Sequence, residues 1–132
     1  MRMIVNIDVP ELGAAISFYT RALELKLARI LDDDVAELSG GSSVIYLMAK
    51  PSGSLSADSI MEPLRYARHW TPVHLDFVVD ELESAAQRAL GAGAVQETAG
   101  VEWRGSKCIT FSDPFGHGFC LIEFARLTYD DG

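Results

Sequence analysis

His74 and Asp76 stand two residues apart in the run His74-Leu-Asp-Phe-Val-Val-Asp80. In an extended strand such a pair shares one face. A carboxylate beside an imidazole orients the ring and raises its basicity. The pair is suited to accepting a proton or to holding a ligand by hydrogen bonds. Tyr46, in Val44-Ile-Tyr-Leu-Met48, offers a hydroxyl to a ligand carbonyl, although aromatic residues are also ordinary strand formers. Cys120 is flanked by Phe119 and Leu121. An apolar setting favours an inert thiol over a nucleophile. Cys108 reads as core. Trp103, Trp70, Tyr66, Phe18 and Phe115 are candidates for the apolar lining that small-molecule sites need. His117 is expected on the surface of a turn, His69 without a partner, and Lys107 exposed. The sequence has no Gly-rich phosphate loop, nucleophile elbow or Cys-x-x-Cys pair. The candidate catalytic residues are therefore His74 and Tyr46. The candidate ligand-binding residues are Tyr46, His74, Asp76, Trp103 and Cys120.

The elements that must position these residues occur twice. Ile4–Leu12 running into Ala14–Leu23 matches His74–Leu82 running into Ser84–Leu90. A shift of 70 superposes Val9 on Val79, Glu11 on Glu81, Leu12 on Leu82 and Ala15 on Ala85. Arg-Ala-Leu recurs at a shift of 67, one helical turn shorter.

In the first copy Met3–Val9 reads as a strand. Pro10 suits a first helical position. Leu12, Ala15, Ile16, Tyr19 and Leu23 form a helical apolar stripe. Strands follow at Leu25–Leu31, Val35–Leu38 and Ser43–Ala49, divided by Asp32-Asp-Asp34 and Gly40-Gly41. Pro51–Ser59 reads as linker, and Ile60–Ala67 as a short helix broken near Pro63.

In the second copy Val73–Val79 is a strand. Asp80 and Glu83 resemble a capping box. Leu82, Ala85, Ala86, Ala89 and Leu90 form the stripe, and Gly91 and Gly93 end the helix. Val95–Thr98, Gly105–Ser112 and Gly118–Ala125 complete the strands. Both halves read as βαβββ. The expected organisation is a module over 1–50, a linker over 51–71 and a second module over 72–132.

The 132 residues suffice for one domain or two small fused halves. The apolar fraction is 48%, and no run approaches the roughly 18 apolar residues of a membrane span. No signal peptide is expected, and two cysteines in apolar runs suit a reduced cytoplasmic protein. The formal charge of −8, with 11 scattered Lys and Arg, disfavours nucleic acid as a partner.

The chain resembles the vicinal oxygen chelate superfamily of glyoxalases, extradiol dioxygenases and antibiotic resistance proteins. The resemblance rests on Val9-Pro-Glu-Leu12 with Phe18-Tyr19, on His74–Leu82, and on Asp113-Pro-Phe-Gly-His-Gly-Phe-Cys-Leu-Ile-Glu123. It implies an α+β fold of two βαβββ modules whose curved mixed sheets form a cup. Metal-dependent members place His, Gln or Glu on the first, fourth, fifth and eighth strands. The matching positions here are Ile4, Tyr46, His74 and Cys120, of which His74 alone fits. Glu123 lies three residues beyond the last of them and on the opposite face.

The resemblance thus implies a cup that binds a small organic molecule, with no cofactor expected and a divalent metal disfavoured. The alternatives are a metal-free lyase or isomerase with His74 as base and Tyr46 as acid, and a metal-dependent glyoxalase or dioxygenase. Exposed sheet edges imply a homodimer. No membrane partner is expected.

Overall fold

The computed structural model describes residues 1–51 and 65–131. The chain divides into two units, Met1–Ala67 and Arg68–Gly132. The division falls inside the segment expected as linker. Most of that segment lies outside the described residues, as do residues 60–64 of the expected short helix; residues 65–67 are not helical.

The first unit runs β1 (Ile4–Val9), α1 (Leu12–Ala22), β2 (Lys26–Leu31), β3 (Val35–Ser39) and β4 (Val44–Ala49). Its sheet order is β1-β4-β3-β2, with β1 parallel to β4 and the other pairs antiparallel. The β2–β3 turn is built by the aspartates. Asp32 and Asp33 both take positive φ, 51° and 63°, and Asp34 N–H bonds Leu31 O at 3.2 Å. Asp tolerates this left-handed conformation better than bulky residues.

Pro10 precedes the cap instead of opening the helix. Glu11 is the N-cap, and its carboxylate accepts from Gly13 N at 2.8 Å and Ala14 N at 2.7 Å. These bonds hold its pKa below the ordinary carboxylate value. The buried face is Ala15, Phe18, Tyr19 and Ala22, at i, i+3, i+4 and i+7. Expected members Leu12, Ile16 and Leu23 are only half-buried. Full burial of a large side chain stabilises by about 1.5–3 kcal/mol. The helix therefore turns to bury Phe18, beside the fully buried Val9, Leu38 and Leu47 of the same core.

The second unit runs β5 (Leu75–Val78), α2 (Leu82–Ala92), β6 (Val95–Gln96), β7 (Val101–Trp103), β8 (Ser106–Ser112) and β9 (Gly118–Phe124). The order is β5-β9-β8-β6, with β7 also on β8, and β5 parallel to β9. This is the topology of the first unit with its second strand split. Residues 97–100 stand opposite Ile109 and Thr110 alone, so two extra residues bulge out between β6 and β7. Glu97 N and Thr98 N both reach Thr110 O, and Thr98 Oγ1 accepts from Thr110 N at 3.0 Å. The short strand Val101–Trp103 was not expected from the sequence; the bulge explains why no continuous alternation marks it.

Three details of α2 differ from expectation. Its N-cap is Glu81, without a side-chain cap bond, so the Asp80/Glu83 capping box does not form. Glu123 Oε1 supplies the bond instead, accepting from Leu82 N at 2.7 Å. Leu90 is exposed, and the helix passes through Gly91 to end at Gly93, whose φ of 116° needs glycine.

The core of this unit gathers Phe111, Phe119 and Leu121. Phe111 and Phe119 stack at 5.7 Å, and Phe77 meets Phe119 edge-on at 5.8 Å. Among the described residues there are two helices and nine strands in two mixed sheets, an α+β fold. None of the described helices is long and apolar enough to cross a membrane.

Candidate functional site

Register builds the site in the second unit. The parallel β5–β9 pairing sets Asp76 opposite Cys120, and the antiparallel β8–β9 pairing sets Thr110 opposite Cys120. Alternation puts this row on the face away from Phe77, Phe119 and Leu121. His74, one residue before β5, falls on the same face.

His74 Nε2 lies 3.2 Å from Asp76 Oδ1. The Cys120 Sγ joins them, and the three donor atoms lie within 4.8 Å of one another. Thr110 Oγ1 is 3.4 Å from Cys120 Sγ. Cys108, also on this face, stands opposite Ile122, two residues along β9 from Cys120. Burial pushes the Cys108 thiol up to about 12, and the neighbouring Cys120 adds to the shift. Burial also raises Cys120. Both thiols are therefore poor nucleophiles at neutral pH.

His74 keeps 35% of its side chain exposed and Asp76 keeps 40%, so the pair faces solvent at one edge. Trp70 packs on the His74 ring, centroid to centroid 4.7 Å at 40°. The Arg68 guanidinium lies over the Trp70 ring, 5.1 Å from its centroid. Arg68 is fixed by a fork onto Glu97, Nε–Oε2 2.6 Å and Nη2–Oε1 2.7 Å. That fork raises Arg68 and lowers Glu97. Gly118 lets Trp70 and Arg68 approach; a Cβ there would sit 2.6 Å from Arg68 Nη2 and closer still to Trp70.

The other candidates fall elsewhere. Tyr46 belongs to the first unit, where its hydroxyl donates to Glu37 Oε1 at 2.8 Å. Arg29 forks onto the same carboxylate, Nε–Oε2 3.1 Å and Nη2–Oε1 3.2 Å. Arg29 lowers Glu37, and the bond to Glu37 raises Tyr46.

Trp103 pairs with Ser106, which pairs with Phe124. That row is six residues along β9 from Gly118, or about 20 Å from the His74 end. Trp103 packs on Tyr129 at 5.0 Å and lines a separate groove of about 450 Å³ with Glu102, Arg104, Lys107 and Glu123. It does not join His74.

His117 is half-buried instead of lying on the surface. Buried Asp113 accepts from Phe115 N and His117 N at 2.9 Å and meets His117 Nδ1 at 2.7 Å. A buried carboxylate needs such donors. His69, expected without a partner, accepts at its carbonyl from Arg68 Nη1.

Sequence reasoning missed Arg29, Glu37, Arg68, Glu97 and Thr110. Glu37 was findable, as the charged residue inside Val35-Ala-Glu-Leu38. Arg68 and Glu97 are 29 residues apart and carry no local signal.

The residues do not suit the four-position nitrogen and oxygen metal site that the resemblance implies. Ile4 has no donor. The Tyr46 hydroxyl is committed to Glu37. Glu123 is turned to the N-terminus of α2.

The Glyoxalase-like domain family matches residues 4–122. No curated protein matches the chain. Among solved structures, a hypothetical protein from S. aureus has TM-score 0.73 at 20% identity, covering 93% of each chain. A lactoylglutathione lyase from Agrobacterium tumefaciens has TM-score 0.65 at 19% identity, covering 93% of this chain and 92% of its own. A variant of the fosfomycin resistance protein FosX from Listeria monocytogenes, complexed with Mn(II) and a dihydroxypropylphosphonic acid, has TM-score 0.68 at 16% identity. It covers 89% of this chain and 85% of its own. At these identities the likeness speaks for the fold. With the match over residues 4–122, the chain belongs to the Glyoxalase-like domain family.

Proposed function

We propose that the chain binds a small, partly aromatic organic molecule at the His74 face, without the hard-ligand ion of its metal-dependent relatives. One observation carries the reading. His74 and Asp76 present a solvent-reaching donor and acceptor 3.2 Å apart beside Trp70, which is itself 49% exposed. An aromatic wall beside a few convergent polar groups is what a small-molecule site requires. The FosX neighbour, which holds an organic phosphonic acid, supports a ligand of this size.

The test is a ligand screen read by tryptophan emission in a Trp103→Phe background, which leaves Trp70 as reporter. Saturable quenching that disappears in His74→Ala supports the reading. Ligands that bind equally well to His74→Ala count against it.

A metal-free lyase or isomerase is the second reading, favoured by the His74–Asp76 contact. Asp76 would orient the ring and His74 would take a proton alpha to a carbonyl. Tyr46 is less suited to act as the acid, because its hydroxyl already serves Glu37. Turnover that survives chelator and dies in His74→Ala distinguishes an enzyme from a binding module.

The same proposal includes a cytoplasmic homodimer. β2 ends its sheet with Leu27 and Ile30 exposed, which favours pairing with a second copy.

A further inference from the structure

We propose that residues 68–73 are a latched strap at the His74 face: the Arg68–Glu97 fork keeps Trp70 on the His74 ring, and release of the fork uncovers that ring to a planar ligand. The inference rests on the small-molecule reading for what enters, and adds how entry is controlled.

The closed arrangement blocks entry by distance. The Trp70 and His74 ring centroids lie 4.7 Å apart. A flat ligand between them needs two carbon contacts of about 3.5 Å each, or roughly 7 Å in all. Trp70 must therefore move out by about 2 Å or more before another ring can lie on His74.

The backbone of the segment permits that movement. Residues 68–73 form neither helix nor strand. Among the described residues, no backbone–backbone hydrogen bond reaches Trp70, Thr71, Pro72 or Val73. Pro72 has no N–H to donate. Thr71 Oγ1 makes its bond inside the segment, to Val73 O. Val73 is exposed and Trp70 half-exposed. A segment with little buried surface and no backbone ties opens well before the fold does.

Side chains supply the hold. Arg68 forks onto Glu97 at 2.6 and 2.7 Å and lies over the Trp70 ring. The bulge between β6 and β7 delivers Glu97, whose N–H donates to Thr110 O at 2.8 Å. Thr110 stands opposite Cys120, in the row that leads to Asp76. The bulge thus aims a carboxylate at the strap from beside the site, a use to which bulges are suited. Gly118 leaves the space in which Trp70 and Arg68 sit. A single partly exposed ion pair holds weakly. The fork is therefore a latch that thermal motion can release.

The experiment needs no ligand. Diethyl pyrocarbonate modifies accessible imidazoles, and peptide mass spectrometry of the treated full chain reads His74 separately from His117. His117, held by Asp113, is the internal reference. Trp70→Ala removes the cover and sets the upper rate. Glu97→Gln and Arg68→Gln should each speed His74 modification by about two- to five-fold, the factor that loss of a partly exposed ion pair yields. The double variant should react no faster than Arg68→Gln alone, because both changes break one fork. A His74 rate unchanged in both single variants would overturn the strap. So would effects that add in the double variant, a His117 rate that rises in step, or a Trp70→Ala rate equal to wild type. If one single variant fails to fold by circular dichroism, the other decides. These rates judge the strap alone, whereas the ligand screen above judges the small-molecule reading, so the two failures are told apart.

Discussion

Tyr46 and Cys120 hold the same register position in the two units. Tyr46 stands opposite Asn6 in a parallel pair and opposite Glu37 in an antiparallel one. Cys120 stands opposite Asp76 and Thr110 in the same two relationships. One scaffold row therefore carries two chemistries. In the first unit the row is closed by Arg29, Glu37 and Tyr46, which satisfy one another. In the second it ends in His74 and Asp76, which still reach solvent. This asymmetry is the reason for proposing the binding face in the second unit.

The closed row makes a spectroscopic prediction. Tyr46 is raised above 10.0 chiefly by its bond to Glu37. Glu37→Gln should lower the Tyr46 phenol pKa toward that value, measured by ultraviolet pH titration with Tyr46→Phe as the assignment control. An unchanged titration would show that the bond does not persist in solution.

Acid should weaken the fold through Glu37, Glu97 and Glu11, all held below the ordinary 4.5. Such a carboxylate binds fewer protons folded than unfolded between its two pKa values. Its stabilisation is in full force above the unfolded value of 4.5 and disappears as pH falls through the depressed folded value. Urea midpoints should fall across that window, and Glu97→Gln should flatten the fall. Glu11 is exposed and Glu37's partner Arg29 is 61% exposed, whereas Arg68 and Glu97 are each 28% exposed, so Glu97 sits in the less screened pair and is the informative position.

The structure reassigns the α2 cap, and mutation can check it. Glu123→Ala should cost about 1 kcal/mol, the usual loss for a capping side chain. Glu81→Ala, at the formal N-cap, should cost within about 0.5 kcal/mol. Glu11→Ala, the equivalent position in the first unit, should behave like Glu123→Ala because its carboxylate caps directly. Thermal melts of the three variants rank them.

Gly118→Ala should displace Trp70 from His74, because the added methyl meets the indole and Arg68. Trp70 is 49% exposed, so it can swing outward without repacking the core. Trp70 emission in a Trp103→Phe background should shift to the red. Unchanged emission would mean that the stack is not maintained in solution.

The repeat, the helix and strand order and the fold were legible because period-two and period-3.6 patterns are local. His74 with Asp76 was legible for the same reason: two residues on one strand share a face. Partners brought by pairing were not. Glu37 with Tyr46, Arg68 with Glu97 and Glu123 with Leu82 depend on register, which no short window encodes. The β6–β7 bulge hid Val101–Trp103, and Trp103 was drawn to the site by its type alone.

The central claim is that a small molecule binds at the His74 face. The most direct measurement is the nuclear magnetic resonance spectrum of the His74 ring during titration with small aromatic carbonyl compounds. His74→Ala should leave stability within about 0.5 kcal/mol, as expected for an exposed group. A packed histidine would instead cost roughly 1–3 kcal/mol. The account predicts that binders shift the His74 and Trp70 signals together, and that affinity falls by about ten-fold or more in His74→Ala. Binders that move only signals around the Trp103 groove, with affinity intact in His74→Ala, would contradict it.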